Sequence, residues 1–265
     1  MTEDQNYYPD NELNGRSLLA YQWIPEKTTK LLDAGCSYGY STVYFSEKAQ
    51  QTYGIDINHE HIEAAKNKYP GINFIQGEME ALPFEDEFFD TIIMMDVLEH
   101  TNDRIKSLSE ICRVLKKGGK FIFSTPHKGT YAFLDPYNYG YYLLKKMPLI
   151  YKVLFKFVQL LKNNKLPDKQ YNPEHTVPHY HYTERDLLNM LDDSDFHKHF
   201  SVISIFKSGY YKEVTAMILE SLLLIVFSKK RTRKILKNIS KNASKDYWKE
   251  YGSKSYNIAM MIEKK

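Results

Sequence analysis

Between residues 28 and 127, short apolar runs alternate with amphipathic stretches, and this alternation restricts the possible folds more than any other feature of the chain. Lys30-Leu31-Leu32-Asp33-Ala34 reads as a buried strand halted by Gly35. Residues 41–49 follow with helical spacing, and Ser41 is placed to cap their start. The pattern then predicts a strand at 51–57, a helix at 59–69 stopped by Pro70-Gly71, and strands at 72–76 and 90–96. The last of these, DTIIMMD, is nearly continuous in apolar residues, as strands covered on both faces of a parallel sheet are. A helix over 102–119 would set Ile105, Leu108, Ile111, Cys112 and Leu115 on one face. It would close on Lys116-Lys117-Gly118-Gly119, which suits both the helix dipole and a glycine cap, before a fifth strand at 120–126. The implied class is α/β, with a doubly wound and mostly parallel sheet.

After Pro126 the alternation breaks. Residues 128–180 are an insert or lid rich in aromatics and lysine; a helix at 183–193 and strands at 202–208 and 255–264 resume the pattern. A short helix at 16–23 precedes the first strand, and residues 1–14 are polar. The 265 residues suit one domain with additions better than two. We therefore read 1–265 as a single domain, with a core at 25–127 and a hydrophobic and basic helical insert at 210–250 between the last two strands.

The net charge of +3 conceals an uneven distribution. Residues 1–127 hold 20 acidic and 12 basic side chains, whereas 128–265 hold 13 and 24, so the second half suits an anionic partner. Cys36 and Cys112 are the only cysteines and form no disulfide or zinc spacing. The polar start does not resemble a signal peptide, and no apolar run reaches 18 residues, so a cytoplasmic protein without a spanning helix is expected.

In open α/β sheets, ligands gather at the carboxyl ends of the strands. The first strand ends in Asp33-Ala34-Gly35-Cys36-Ser37-Tyr38-Gly39, a strand–loop–helix context in which glycine permits close backbone approach. Taken alone, such a loop is also an ordinary turn. A dinucleotide fingerprint needs glycines at the first, third and sixth positions; only Gly35 complies, and Asp33 suits a cationic group better than a pyrophosphate. Asp56 ends the second strand, where a carboxylate can accept from ribose hydroxyls or simply face solvent. Glu78-Met79 follow the third strand and Asp96-Val97-Leu98-Glu99-His100 the fourth, which brings acidic groups to the same sheet edge.

Over residues 28–127 this set resembles the class I S-adenosylmethionine-dependent methyltransferases, in particular the small-molecule group with a DxGCGxG loop, an LPF loop and DxLEH. The resemblance implies a seven-stranded sheet of order 3-2-1-4-5-7-6 with the seventh strand antiparallel, and S-adenosylmethionine as cofactor. It places Asp33 near the methionyl amino group, and Gly35, Cys36, Ser37 and Gly39 in the loop beneath the cofactor. It sets Asp56, with Ile57 beside it, on the ribose, Glu78 and Met79 at the adenine, and Asp96 beside the methionyl portion. Ser37 in place of the middle glycine and Glu78 in place of aspartate are the two departures.

Methyl transfer from a sulfonium needs alignment above all, and a base only where the acceptor must lose a proton. His127, directly after the fifth strand, is the candidate base; a loop histidine bonded to backbone is the plain alternative. For His100, at the end of the LEH segment, a structural hydrogen-bonding role stands at least level with a catalytic one. His175, His179 and His181 could ligate a metal, but no cysteine accompanies them and Glu174 is the one nearby carboxylate, so no metal is assigned. In the insert, LIYKVLFKFVQLLK after Pro148 carries Lys152, Lys156 and Gln159 on one stripe of an otherwise apolar helix. With VTAMILESLLLIVF (214–227) and the basic run 229–234, it suits either the surface of an anionic membrane or packing over a long acceptor. No RNA-binding module is present, so nucleic acid is disfavoured. The expected activity is O-methylation of a hydrophobic or lipid-linked small molecule or glycan, such as a quinone precursor or glycolipid. A peripheral position on the inner face of the membrane goes with it. N-methylation of a small amine and a non-catalytic cofactor-binding role are the alternatives.

Overall fold

Leu31, Leu32 and Ala34 are fully enclosed and anchor β1 (Thr28–Ala34) inside a seven-stranded sheet. The computed structural model describes residues 13, 15–130, 132–161, 178–243 and 248–265. The strand order is β3-β2-β1-β4-β5-β7-β6, as the resemblance implied. The strands are β2 (Ala49–Asp56), β3 (Asn73–Gln76), β4 (Phe89–Met95), β5 (Leu115–Pro126), β6 (Phe200–Ser208) and β7 (Asn257–Lys264). Strands β1 to β5 pair in parallel, and β7 enters antiparallel between β5 and β6. In β4, Ile92, Ile93 and Met94 have no exposed surface. Each such side chain contributes about 1.5–3 kcal/mol by leaving water.

The covering helices start where local chemistry allows. Asn58 accepts from the amides of Glu60 and His61 to open α3 (His59–Lys68). Asp103 accepts from Lys106 to open α4 (Arg104–Val114), and a capping box of Thr183 and Asp186 opens α7 (Glu184–Asp193). The first helix, α1 (Gly15–Trp23), packs on the β4 and β5 side of the sheet.

Two local expectations are corrected. Ser41 does not cap α2 (Tyr40–Phe45); the cap is Gly39 in the left-handed region, and the Ser41 hydroxyl donates to Ser17 Oγ instead. Nor does the helix expected over 102–119 run to a glycine cap, because α4 stops at Val114 and the chain enters β5 at once. The competing interactions are non-local: Leu115 pairs with Phe89 across the sheet, and Lys116 Nζ reaches Asp90 at 2.8 Å.

After β5 come α5 (Pro136–Lys146) and α6 (Pro148–Leu161). The span between β6 and β7 holds α8 (Tyr211–Val226) and α9 (Lys229–Ala243); the basic run 229–234 thus begins a helix. Helices α5, α6 and α8 contact one another, and α9 packs on α8. No helix among the described residues is long and apolar enough to cross a membrane. His175 lies outside the described residues.

Candidate active site

Strand order reverses between β1 and its two neighbours, β2 and β4, so a crevice opens at their carboxyl ends. The Gly35–Gly39 loop turns there. Gly35 has φ +86°, and a Cβ on it would lie 2.2 Å from Val97 Cγ2, so no other residue fits. The amides of Gly35 and Cys36 both donate to the Ile55 carbonyl, at 2.8 and 3.0 Å, which ties the loop to β2. Ser37, with φ +47°, occupies the left-handed region without being glycine. Such backbone strain gathers at functional sites.

Asp56 completes this turn. Its Oδ2 accepts from the Ser37 amide and its Oδ1 from the Asn58 amide, each at 2.9 Å. The carboxylate is held rigidly, with lone pairs left for a diol at the crevice. Ile57 beside it is 62% exposed, unusual for a large apolar residue and suited to covering a flat ring. His61 Nδ1 lies 3.2 Å from Ser37 Oγ, and its ring lies against Tyr38 with centroids 4.1 Å apart.

Asp33 is 5% exposed and accepts from Thr42 Oγ1 at 2.6 Å. Burial pushes its carboxyl up to about 7, the Thr42 hydrogen bond opposes that shift, and the nearby Asp56 charge adds to it. A cationic group beside Asp33 would relieve that destabilisation of the carboxylate. Across the crevice, Asp96 has φ +56° and bonds to Ser124 Oγ at 3.0 Å and Arg16 Nη2 at 2.6 Å. Arg16 also reaches Asn257 at the start of β7, so it fastens α1 over the ends of β4 and β7.

The remaining site residues named from sequence are spread more widely. Glu78 is exposed at the start of the loop after β3, while Met79 is packed in the main core with Ile55 and Leu82. The Cys36 thiol turns inward among Ile62, Ala65 and Phe74, where burial raises its pKa; only its backbone borders the loop. His127 is 5% exposed, and its Nδ1 lies 2.7 Å from Ser255 Oγ and 3.2 Å from the Ser255 carbonyl. Because Ser255 Oγ donates to the Gly252 carbonyl, both Ser255 oxygens accept from His127, which assigns the proton to Nδ1 and leaves Nε2 with a lone pair. Burial lowers the His127 pKa, and burial together with His179 does the same for His100, which favours the uncharged ring at each.

Sequence reasoning missed Arg16 and Thr42, and gave Glu99 no individual role. Glu99 is 1% exposed, accepts from Thr125 Oγ1 at 3.1 Å, and is pushed up to about 8 by burial and the Asp96 charge. The LEH segment signalled Glu99, but nothing local to Arg16 or Thr42 marks their partners.

These features are what a nucleoside with a cationic amino-acid tail requires: a cradle only glycine can line, a rigid diol acceptor and a buried acid. Residues 32–123 match the methyltransferase domain family. Over that segment the chain is similar to S-adenosylmethionine-dependent methyltransferases. A Mycolicibacterium smegmatis protein named as a probable S-adenosylmethionine-dependent methyltransferase is 31% identical over 102 residues, covering 38% of this chain and 40% of that one. The ubiquinone biosynthesis O-methyltransferase of a Shewanella species is 29% identical over 125 residues, covering 45% and 53%. The chain thus spans about half the length of these relatives or less. The solved structure of the Bacillus subtilis YcgJ protein matches over 93% of this chain and 96% of its own, with TM-score 0.53 and 18% identity, which establishes the shared fold.

Proposed function

We propose that the protein is an S-adenosylmethionine-dependent methyltransferase that methylates an oxygen of a hydrophobic or lipid-linked acceptor at an anionic membrane surface. The observation that carries the reading is the ring of Asp33, Asp56 and Asp96 around the glycine cradle at the switch point of the sheet. The cofactor supplies an activated methyl group on a sulfonium. Asp56 accepts from the ribose hydroxyls, Asp33 faces the methionyl ammonium, and Asp96, steadied by Arg16 and Ser124, lines the methionyl end. Ile57 flanks the adenine and Glu78 stands at its edge, with Met79 behind them in the core. His127 receives the acceptor proton on Nε2, in the tautomer its Ser255 contacts favour.

An oxygen acceptor is supported by His100 and His127 at the ends of β4 and β5, whose burial lowers their pKa and favours the uncharged, proton-accepting form. The membrane surface is supported by α6. Leu149, Val153, Phe157 and Leu160 form a stripe at helical spacing that is 57–78% exposed, with Ile150 and Leu154 beside it. Lys145 and Lys146 at the end of α5 and Lys152 and Lys156 on α6 are exposed. An apolar face edged by lysine is the arrangement of interfacial helices.

Calorimetric titration with S-adenosylmethionine, beside Asp56→Ala, tests the first part: no binding by the folded wild type would overturn it. Co-sedimentation with phosphatidylglycerol vesicles at low and high salt tests the second, and failure to pellet at low salt would overturn the membrane reading. Full activity in His127→Ala would remove the base and favour an amine acceptor.

A further inference from the structure

Beyond β5 lies a side-chain cluster that the cofactor site does not use. Tyr182 pairs with the end of β5: its amide donates to the Pro126 carbonyl and its carbonyl accepts from the Lys128 amide, both at 2.9 Å. The residues before it are therefore held extended, and His179 and His181, two apart, face the same way. Tyr180 between them is 40% exposed and lies over the Arg104 guanidinium, whereas the His179 and His181 side chains are 17% and 7% exposed. Both imidazoles converge on Asp135, which has no exposed surface. His179 Nδ1 lies 2.5 Å and His181 Nε2 2.8 Å from the same oxygen, Oδ2.

We propose that Asp135, His179 and His181 form a binding site for a divalent transition-metal ion of the zinc type. The three ligand atoms lie within 4.8 Å of one another. His181 Nδ1 is 3.1 Å from the His127 carbonyl, which can only accept, so Nδ1 donates there and Nε2 is the nitrogen that faces Asp135. A divalent cation held between His179, His181 and Asp135 would take the place of the protons that otherwise bridge these short contacts. A ring N–H given to a backbone carbonyl while the other nitrogen faces the ion is the usual outer shell of a metal-bound histidine. Two imidazoles and a carboxylate, with a coordination position left open, suit zinc and related ions, whereas magnesium prefers oxygen ligands. Metal–ligand bonds of about 2.0–2.1 Å in a tetrahedron would separate the ligands by about 3.3 Å, so the contacts to Asp135 need to open by only about 0.5–0.8 Å.

The frame around the cluster is stiff enough to hold that geometry. Asn138 grips His179 at both backbone groups, donating to its carbonyl and accepting from its amide at 2.9 Å. The open side faces the loop after β4: the His100 ring stacks near His179 with centroids 5.8 Å apart, and Glu99, His100 and His179 themselves converge within 4.8 Å. The ion would thus fasten the start of the 128–180 insert to the core beside His127. That position also allows it to bind an acceptor oxygen and make a hydroxyl more acidic, a role that rests on the methyltransferase reading. The metal site itself does not depend on that reading.

The test uses the full chain, stripped with chelator, checked by circular dichroism, and titrated with Co2+ and Zn2+ alone. We expect one equivalent of Co2+ to give visible absorption bands of a low-coordinate site and Zn2+ to bleach them. Asp135→Asn and His181→Gln, if folded, should weaken Co2+ binding by ~100-fold, while His59→Gln, on the opposite side of the sheet order, should not. Absence of one-equivalent binding by folded wild type, or wild-type binding by Asp135→Asn, would overturn the proposal. Parallel titration with S-adenosylmethionine separates the two readings: cofactor binding without Co2+ binding removes only the metal, and the reverse removes only the methyltransferase.

Discussion

If Asp33 receives the methionyl ammonium, cofactor affinity must follow a bell in pH. Binding then requires the Asp33 carboxylate, with its pKa at about 7, and the ligand's ammonium. A free α-amino group titrates near about 7.8, so the product of the two fractions peaks close to pH 7.4. At pH 6 only about a tenth of Asp33 is ionised, and affinity should fall roughly sixfold from the maximum, or ~1 kcal/mol. Isothermal titration from pH 6 to 8.5 at fixed ionic strength measures this directly. Two controls isolate the cause. In Asp33→Asn the acid-side fall should vanish, and 5′-methylthioadenosine, which lacks the amino-acid tail, should bind the wild type with a flat profile. An unchanged acid-side slope in Asp33→Asn would refute the assignment, because the titrating group would lie elsewhere. A flat wild-type profile would refute the burial argument itself.

Further outcomes follow from the same geometry. Asp33 and Glu99 bind protons more tightly when folded, at about 7 and about 8, than as free carboxyls. Their contribution is therefore complete below the unfolded values and is lost as pH rises through the folded ones. The urea midpoint should fall between pH 6.5 and 8.5, and Glu99→Gln should flatten the slope; a midpoint rising over that window would contradict the assignment. Gly35→Ala forces a Cβ to 2.2 Å from Val97 Cγ2 at φ +86°, which should cost about 2–4 kcal/mol in urea denaturation and weaken cofactor binding. The pair Val153→Glu and Phe157→Glu, at exposed positions, should abolish vesicle co-sedimentation while moving stability by less than about 1 kcal/mol. A large loss of stability would instead mean that α6 packs on the protein.

The strands were legible because a buried parallel strand announces itself in four or five consecutive residues, as DTIIMMD does. Strand order was not legible in periodicity; it came from the resemblance of the loop motifs. Boundaries failed where a distant partner decided them. Lys116-Lys117-Gly118-Gly119 has the composition of a helix cap, yet Asp90 and Phe89 draw this segment into the sheet. Ser41 has a capping side chain, but Gly39 already turns the backbone, and Ser17 takes the hydroxyl.

The same distinction separates the two sites. Asp33, Gly35 and Asp56 could be found because each sits at the end of its own strand, so one rule about strand ends collects them all. Asp135, His179 and His181 obey no such rule. Read locally, His175, His179 and His181 had no cysteine beside them and no carboxylate but Glu174, and the metal option was set aside for that reason. The fold supplies one from 44 residues earlier in the chain, at the entrance to α5. Arg16 reaches Asp96 and Asn257 in the same non-local way. The cofactor half of the crevice is thus encoded by a local grammar that any chain of this fold can share. On the proposed reading the acceptor side is assembled by long-range contacts, such as those of Tyr182 with the end of β5, and specificity for an acceptor belongs to them.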